Sequence, residues 1–213
     1  MKKLNETNPK YRRVIGRFAS IKNRCAIDFY SLPMRDMLCL LETDPRVNSY
    51  KPAQTTILYR ENGNFIPFRC DFEVQSVLFT EQLLINTGSY SVELCDTLRE
   101  IYAQRDFEFS VADKEFIRRE PFLTNAKILY KYARQQLFPN DYSAAYRYFT
   151  DEPTATIKEF KTFLRSENLN PFNVYTMLFH GYLVYDTNEP LTDESEIKMV
   201  RCVSVHGEGD EQW

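Results

Sequence analysis

The sequence predicts an α+β fold, and three observations carry that reading. Residues 31–43 show an apolar helical pattern, residues 55–111 are mainly strand patterns interrupted by one helix, and from residue 123 onward the pattern is mainly helical. The chain has 213 residues, beyond the usual ~100–150 residues of one domain, and is read as two units. Residues 1–119 form the first, with a basic arm at its start. Residues 120–213 form the second, mainly helical and ending in an acidic tail.

The elements follow in order. Ser31 is a natural N-cap, Pro33 suits a first helical turn, and the apolar run that follows ends at Asp44-Pro45, which predicts a buried helix. Thr55 to Arg60 reads as a strand, Glu61-Asn-Gly-Asn64 as its turn, and Phe65 to Val74 as the returning strand. A third strand lies within residues 76–86, ended by Thr87-Gly88. Residues 91–104 space Val92, Leu94, Cys95, Leu98, Ile101 and Tyr102 as a helix does. Phe107 to Val111 alternates as a strand, and residues 112–117 read as a short helix. In the second unit, helices are expected over residues 125–136, 143–149, 155–164 and 173–179, with Gly181 as a C-terminal stop. Tyr182 to Tyr185 and residues 197–203 pair as a two-stranded wing behind a helix-turn-helix-like pair.

Hydrophobic residues at 43% and aromatics at 15% exclude a disordered chain, and no apolar run reaches the ~20 residues needed to span a bilayer. Residues 1–10 carry charge with no apolar segment behind them, so neither a secretory signal nor a membrane anchor is expected, and the cytoplasm is the expected location. The five cysteines, Cys25, Cys39, Cys70, Cys95 and Cys202, form no Cys-x-x-Cys pair, and only His180 and His206 accompany them. That argues against a zinc site or a disulfide framework. Cys39, within Met37-Leu-Cys-Leu-Leu41, reads as a small buried hydrophobe rather than a reactive thiol. The net charge of −3 conceals an asymmetry: Lys2, Lys3, Lys10, Arg12, Arg13, Arg17, Lys22 and Arg24 stand against Glu6 alone in residues 1–24. Such an arm suits phosphate, and Arg12, Arg13, Arg17, Lys22 and Arg24 are its candidate DNA contacts, although a solvated tail has the same composition. The acidic far end, with Asp186, Glu189, Asp193, Glu194, Glu196, Glu208, Asp210 and Glu211, suits protein docking better than nucleic acid.

Five stretches resemble the TnsA-like endonucleases of heteromeric transposons. Gly16-Arg-Phe-Ala-Ser-Ile-Lys22 resembles the family's Gly-x-Phe-x-Ser-x-Lys opening. Tyr30-Ser-Leu-Pro-Met-Arg-Asp36, with Leu40-Leu-Glu-Thr-Asp-Pro45, resembles its Glu-Ser-Leu-Leu-Glu-Arg-Asp helix and Asp-Pro end. Phe68-Arg-Cys-Asp-Phe-Glu-Val74 is similar to its Pro-Asp-Phe-x-Val strand, with Cys70 in place of Pro. Arg118 to Tyr132 resembles an Arg-x-x-Pro followed by Asn-Ala-x-x-Leu-Tyr-x-Tyr, and Leu178 to Thr192 its Gly-x-Leu-x-x-Asp-x-x-x-Pro-Leu-Thr. The resemblance spans about Gly16 to Ile197 and implies a restriction-endonuclease-like core, in the order helix, three-stranded meander, helix, strand, followed by a mainly helical, winged-helix-like unit. It also implies a DDE-type transposase and an AAA+ regulator as partners.

The chemistry it implies is phosphodiester hydrolysis at Mg²⁺ held by acidic side chains, with a lysine beside the attacking water. Of the implied positions only Asp71 matches; Met34, Asn86 and Gly88 stand where the helix Glu, the second ligand and the lysine belong. Met34 cannot bind Mg²⁺, Asn86 offers a neutral carbonyl, and Gly88 offers no charge. The expectation is therefore a degenerate member that binds DNA, transposition partners or both, and needs no cofactor. Two alternatives remain open at this stage. One is an active Mg²⁺-dependent endonuclease with a displaced ligand set, in which Asp71 and Glu73 share the metal and Glu81 converges on them. The other is a structural or regulatory protein without DNA binding. Tyr130, Tyr132, Tyr146 and Tyr148 would suit an aromatic surface, but on such helices they read more readily as core.

Overall fold

The structure, a computed structural model, describes residues 14–200. It opens with an antiparallel hairpin of β1 (Gly16–Ser20) and β2 (Cys25–Phe29), followed by α1 (Leu32–Thr43). Gly16 is needed where it stands, because a Cβ there would meet the Phe29 ring at 2.4 Å. Ser31 caps α1 as expected, its Oγ accepting from the Met34 amide at 3.2 Å, with Pro33 in the first turn.

Next come β3 (Val47–Pro52), a hairpin of β4 (Ile57–Glu61) and β5 (Asn64–Phe68), then β6 (Phe72–Ser76) and β7 (Thr80–Asn86). The unit closes with α2 (Val92–Ala103), β8 (Glu108–Asp113) and the short α3 (Lys114–Ile117). One sheet runs β3-β6-β7-β8, with β7 and β8 parallel and the other pairs antiparallel. The parallel pair is joined through α2, as a crossover requires. Phe72, Val74, Leu83 and Ala112 pack with α1 on one face, while Leu84 and Phe109 pack with Leu98 and Tyr102 of α2 on the other.

This corrects the expected meander in two places. The first strand of the sheet is β3, and β4–β5 is a separate two-stranded hairpin turned by Asn62 and Gly63, both at positive φ. β3 escapes a period-two search because a register shift between Val47 and Ser49 leaves its buried residues, Val47 and Tyr50, three apart. The expected strand over residues 65–74 is two strands, since the chain leaves the hairpin at Phe68 and joins the larger sheet at Phe72.

The second unit contains α4 (Phe122–Tyr132), α5 (Pro139–Asp151), β9 (Thr154–Thr156), α6 (Ile157–Ser166), α7 (Asn173–Phe179), β10 (Leu183–Tyr185) and β11 (Glu196–Met199). The four expected helices are present, α7 with the expected bounds and the other three with shifted ends. The pair expected as a wing is part of a three-stranded sheet, β10-β11-β9. β9 is hidden in the sequence because Thr156 is both its last residue and the N-cap of α6, in a capping box with Glu159. Phe160, Leu164, Val174, Met177 and Ile197 centre a separate core.

Helix α4 joins the units. The Tyr130 ring stacks on Phe18 at 4.6 Å and its hydroxyl donates to the Ala19 carbonyl at 2.8 Å, while Lys127 meets the buried Asp36 of α1 at 3.0 Å. On its other side Tyr132 stacks on Tyr175 of α7 at 4.8 Å. Of the four tyrosines considered for an aromatic surface, only Tyr146 is strongly exposed; Tyr148 lies among Phe149, Phe160 and Phe163. No helix among the described residues is long and apolar enough to cross a membrane.

The β1–β2 turn is locked to α1 by one carboxylate. Glu42, 1% exposed, accepts from Ser20 Oγ at 2.9 Å, from the Ile21 and Lys22 amides at 2.6 and 2.8 Å, and from the Tyr50 hydroxyl. Burial and the Glu42 contact together push the Tyr50 phenol far up, so it donates at all ordinary pH. Lys22 Nζ then donates to the Leu41, Asp44 and Val47 carbonyls around the C-terminal end of α1. Glu42→Ala leaves four donors without this acceptor and should lower urea-unfolding free energy by about 3–5 kcal/mol. Lys22→Met should cost about 1.5–3 kcal/mol. A loss below about 1 kcal/mol for Glu42→Ala would show that water replaces the carboxylate and that the lock is not structural.

Candidate active-site cleft

Where β6 and β7 meet the N-terminal turn of α1, a cleft of about 780 Å³ opens. Asp28, Tyr30, Met34, Lys51, Arg69, Asp71, Ile85 and Thr87 line it. Asp71 sits just before β6. Its amide donates to the Leu83 carbonyl at 3.0 Å and its carbonyl accepts from the Ala53 amide at 3.1 Å, so its main chain extends the sheet by one step. Its Oδ2 then takes the next amide along β7, that of Ile85, at 2.7 Å. Burial raises the Asp71 carboxyl above its ordinary value, and the Ile85 amide only partly opposes this. Among the described residues no cationic partner holds it down, although Arg69 and Lys51 also line the cleft.

Met34 is where the resemblance would need a ligand, at the cleft wall, partly buried against the α1-side core. The other two positions shift by one residue. Ile85 and Thr87 face the cleft, whereas Asn86 turns toward α2. Asn86 Oδ1 accepts from the amides of Gly88, Ser89 and Tyr90 at 3.0, 3.0 and 3.2 Å, and its Nδ2 donates to the Tyr90 carbonyl. It organises the turn into α2, in which Gly88 supplies a φ of +101°. Neither residue stands beside Asp71. The shift follows from β7 itself: Leu83, Leu84 and Ile85 are apolar in succession because both faces are covered, so the sequence does not reveal which parity faces the cleft.

The displaced ligand set does not assemble. Glu73 is not among the residues that line the cleft, and its carboxylate lies 2.8 Å from Lys51 Nζ and 3.3 Å from Gln82 Nε2. Glu81 pairs in register with Val74, four residues along β7 from the Ile85 amide that Asp71 holds. Among the described residues no group of three or more His, Cys, Asp or Glu is placed to hold a metal ion. Asp28 at the cleft is exposed and lies 3.5 Å from Arg17, which leaves Asp71 beside a thioether, an aliphatic side chain and a hydroxyl, a set that does not fit the oxygen-rich shell Mg²⁺ prefers.

The candidate DNA contacts are also dispersed. Lys22 is spent on three carbonyls and is not available to phosphate, with burial bringing its ammonium down to about 8. Arg17 is exposed and lies 3.5 Å from Asp28. Arg24 is exposed in the β1–β2 turn at a φ of 53°. Arg12, Arg13, Cys202 and, of the acidic end, Glu208, Asp210 and Glu211 lie outside the described residues. Cys39 and Cys70 are buried and their thiols are pushed up to about 11 and about 12, which makes both poor nucleophiles. Helix α7 is buried at six successive positions, from Asn173 to Leu178, so its side chains offer no groove-reading surface. No family model matches the chain, and no curated protein matches it.

The raised Asp71 carboxyl gives a signed pH effect. The folded state holds this proton more tightly than the unfolded chain, so the contribution favours folding at low pH and is lost as pH rises from 3.8 through the folded value. Asp71→Asn keeps an acceptor for the Ile85 amide and removes the buried charge. It should be at least as stable as the parent at neutral pH, with the difference shrinking toward about pH 4 in urea-unfolding series. A variant markedly less stable at neutral pH would reveal a charge partner for Asp71.

Proposed function

We propose that the chain is a TnsA-like protein whose restriction-endonuclease-like core has lost phosphodiester hydrolysis and kept binding: to DNA, to transposase and AAA+ regulator subunits, or to both. The observation that carries this is the composition of the cleft, where Met34, Ile85 and Thr87 surround Asp71, and the second lining carboxylate, Asp28, is exposed and paired with Arg17. The fold supports the first half of the reading, because α1, then β3, β6 and β7 antiparallel, then α2 and a parallel β8, is the order the resemblance implies. The inserted β4–β5 hairpin leaves that order intact. In the second unit, α5, β9, α6, α7, β10 and β11 with sheet order β10-β11-β9 support a winged-helix-like assignment.

Loss of chemistry is compatible with retention of fold, since replacing a desolvated charged cluster by Met34 and Ile85 removes charges that are costly to bury. The burial of α7 weighs toward partner binding over sequence-specific groove reading, so any duplex contact of this chain depends on phosphates.

Calorimetric titration of Mn²⁺ into the parent and into Asp71→Ala tests the reading. Neither should bind the ion at millimolar concentration. Binding by the parent that vanishes in Asp71→Ala would sink it and restore a metal-dependent nuclease.

A further inference from the structure

The solvent face of α4 carries a charge pattern that neither the cleft nor the core accounts for. From Thr124 to Arg134, the end of the turn after α4, the exposed positions are Thr124, Lys127, Lys131 and Arg134. The three cations follow i, i+4, i+7 spacing and form one stripe about 10 Å long. Arg35 of α1 joins it through Asp36, whose carboxylate meets Arg35 at 2.9 Å and Lys127 at 3.0 Å. Against these four cations stand Asp36, whose side chain is 6% exposed, and Glu120, which accepts from the Thr124 amide at 3.2 Å, a net +2 on a chain whose total is −3.

The remaining contacts of the stripe do not neutralise it. Arg134 donates to the Ala19 carbonyl at 3.3 Å, and Lys131 Nζ lies 5.3 Å from the centre of the Tyr132 ring. Both charges are thus steadied by uncharged partners and remain available. Complementing the helix dipole accounts for cations in the last turn, but not for Lys127 or for Arg35 at the start of α1.

We propose that this stripe, Lys127, Lys131 and Arg134 with Arg35 beside them, is a phosphate-tracking surface for double-stranded DNA. The inference rests on the DNA-binding half of the reading above and names the surface that performs it. Two observations favour a duplex over an acidic polypeptide. The stripe abuts β1, where Arg17 is exposed, through the Phe18–Tyr130 stack and the Ala19 carbonyl, and the sequence that joins β1 adds Lys2, Lys3, Lys10, Arg12 and Arg13 to the cations of this end of the chain. Lys127, Lys131 and Arg134 also lie in one row, a run of like charge that suits the repeating phosphates of one strand. Apolar side chains, which a folded partner would need for a buried anchor, do not interrupt it.

The test is fluorescence anisotropy of a labelled duplex titrated with the full chain at several salt concentrations. It compares the parent, Lys131→Gln/Arg134→Gln, which spares the Asp36 pair, and Arg12→Gln/Arg13→Gln. The stripe variant should lose about two units of the slope of log K against log salt, equally on unrelated sequences, with its urea midpoint unchanged. An unchanged slope in the stripe variant, with the parent binding and the arm variant weakened, overturns the stripe and leaves the DNA-binding reading standing. A parent that binds no duplex at low salt overturns both. Binding of a peptide with the sequence of residues 204–213, lost in the stripe variant while duplex binding is absent, assigns the face to acidic polypeptide and also overturns the inference.

Discussion

One buried carboxylate ties the β1–β2 hairpin, α1 and β3 together, and the cleft wall depends on it. Glu42 stands on the last turn of α1, where a charge without partners would be untenable, and the chain surrounds it with four donors from three places: the β1–β2 turn, the main chain entering it, and Tyr50 of β3. This sets the distance between the hairpin, the helix and the sheet together. Lys22 completes the arrangement by closing off the carbonyls of the α1 end, and Asn23 accepts from the Tyr50 amide at 3.1 Å, so four consecutive residues of one turn, Ser20 to Asn23, are all engaged. The Ser20 and Lys22 side chains have these architectural tasks, which is a sufficient physical reason for their spacing.

With α1 held in this way, its first turn forms one wall of the cleft and the sheet end forms the other. The cleft survives as a shape although its side chains cannot assemble an oxygen cage. Asp71 is occupied in sheet architecture, its carboxylate standing in for a main-chain acceptor at the point where the chain passes from the β4–β5 hairpin into β6. A residue at a position suited to chemistry is here engaged in pairing strands, and its elevated carboxyl follows from that enclosed position.

Much of the fold was legible from the residues, for reasons that individual elements make plain. α1 has a cap, a proline and a stop; the β4–β5 turn has its Asn-Gly pair; α2 and the second-unit helices have clear apolar stripes. The misses share a cause, which is that local pattern does not report pairing. β3 contains a register shift that breaks its alternation, β9 is three residues long and doubles as a helix cap, and β7 is apolar on both faces, so that Ile85 and Thr87 were hidden behind Asn86 and Gly88. Asp71 was identifiable by its setting; its isolation from Glu73 and Glu81 was not, because facing depends on where the strand begins. Lys22 read as a surface cation because its three carbonyl partners lie 19 to 25 residues away in sequence. The α4 stripe, in contrast, was visible in the i, i+4, i+7 spacing of its cations, but a helix read for its apolar side does not draw attention to it.

The two-sided packing of α4 also bears on how displacement travels through the molecule. One side of this helix grips the N-terminal hairpin and α1 through Tyr130 and Lys127, and the other grips α7 through Tyr132, whose carbonyl also accepts from Thr176 Oγ at 3.1 Å. The halves of the chain are therefore not beads on a string. A load applied to the three-stranded sheet passes through α7 and α4 into α1, and so to the wall of the cleft, in the manner of a lever with α4 as its fulcrum.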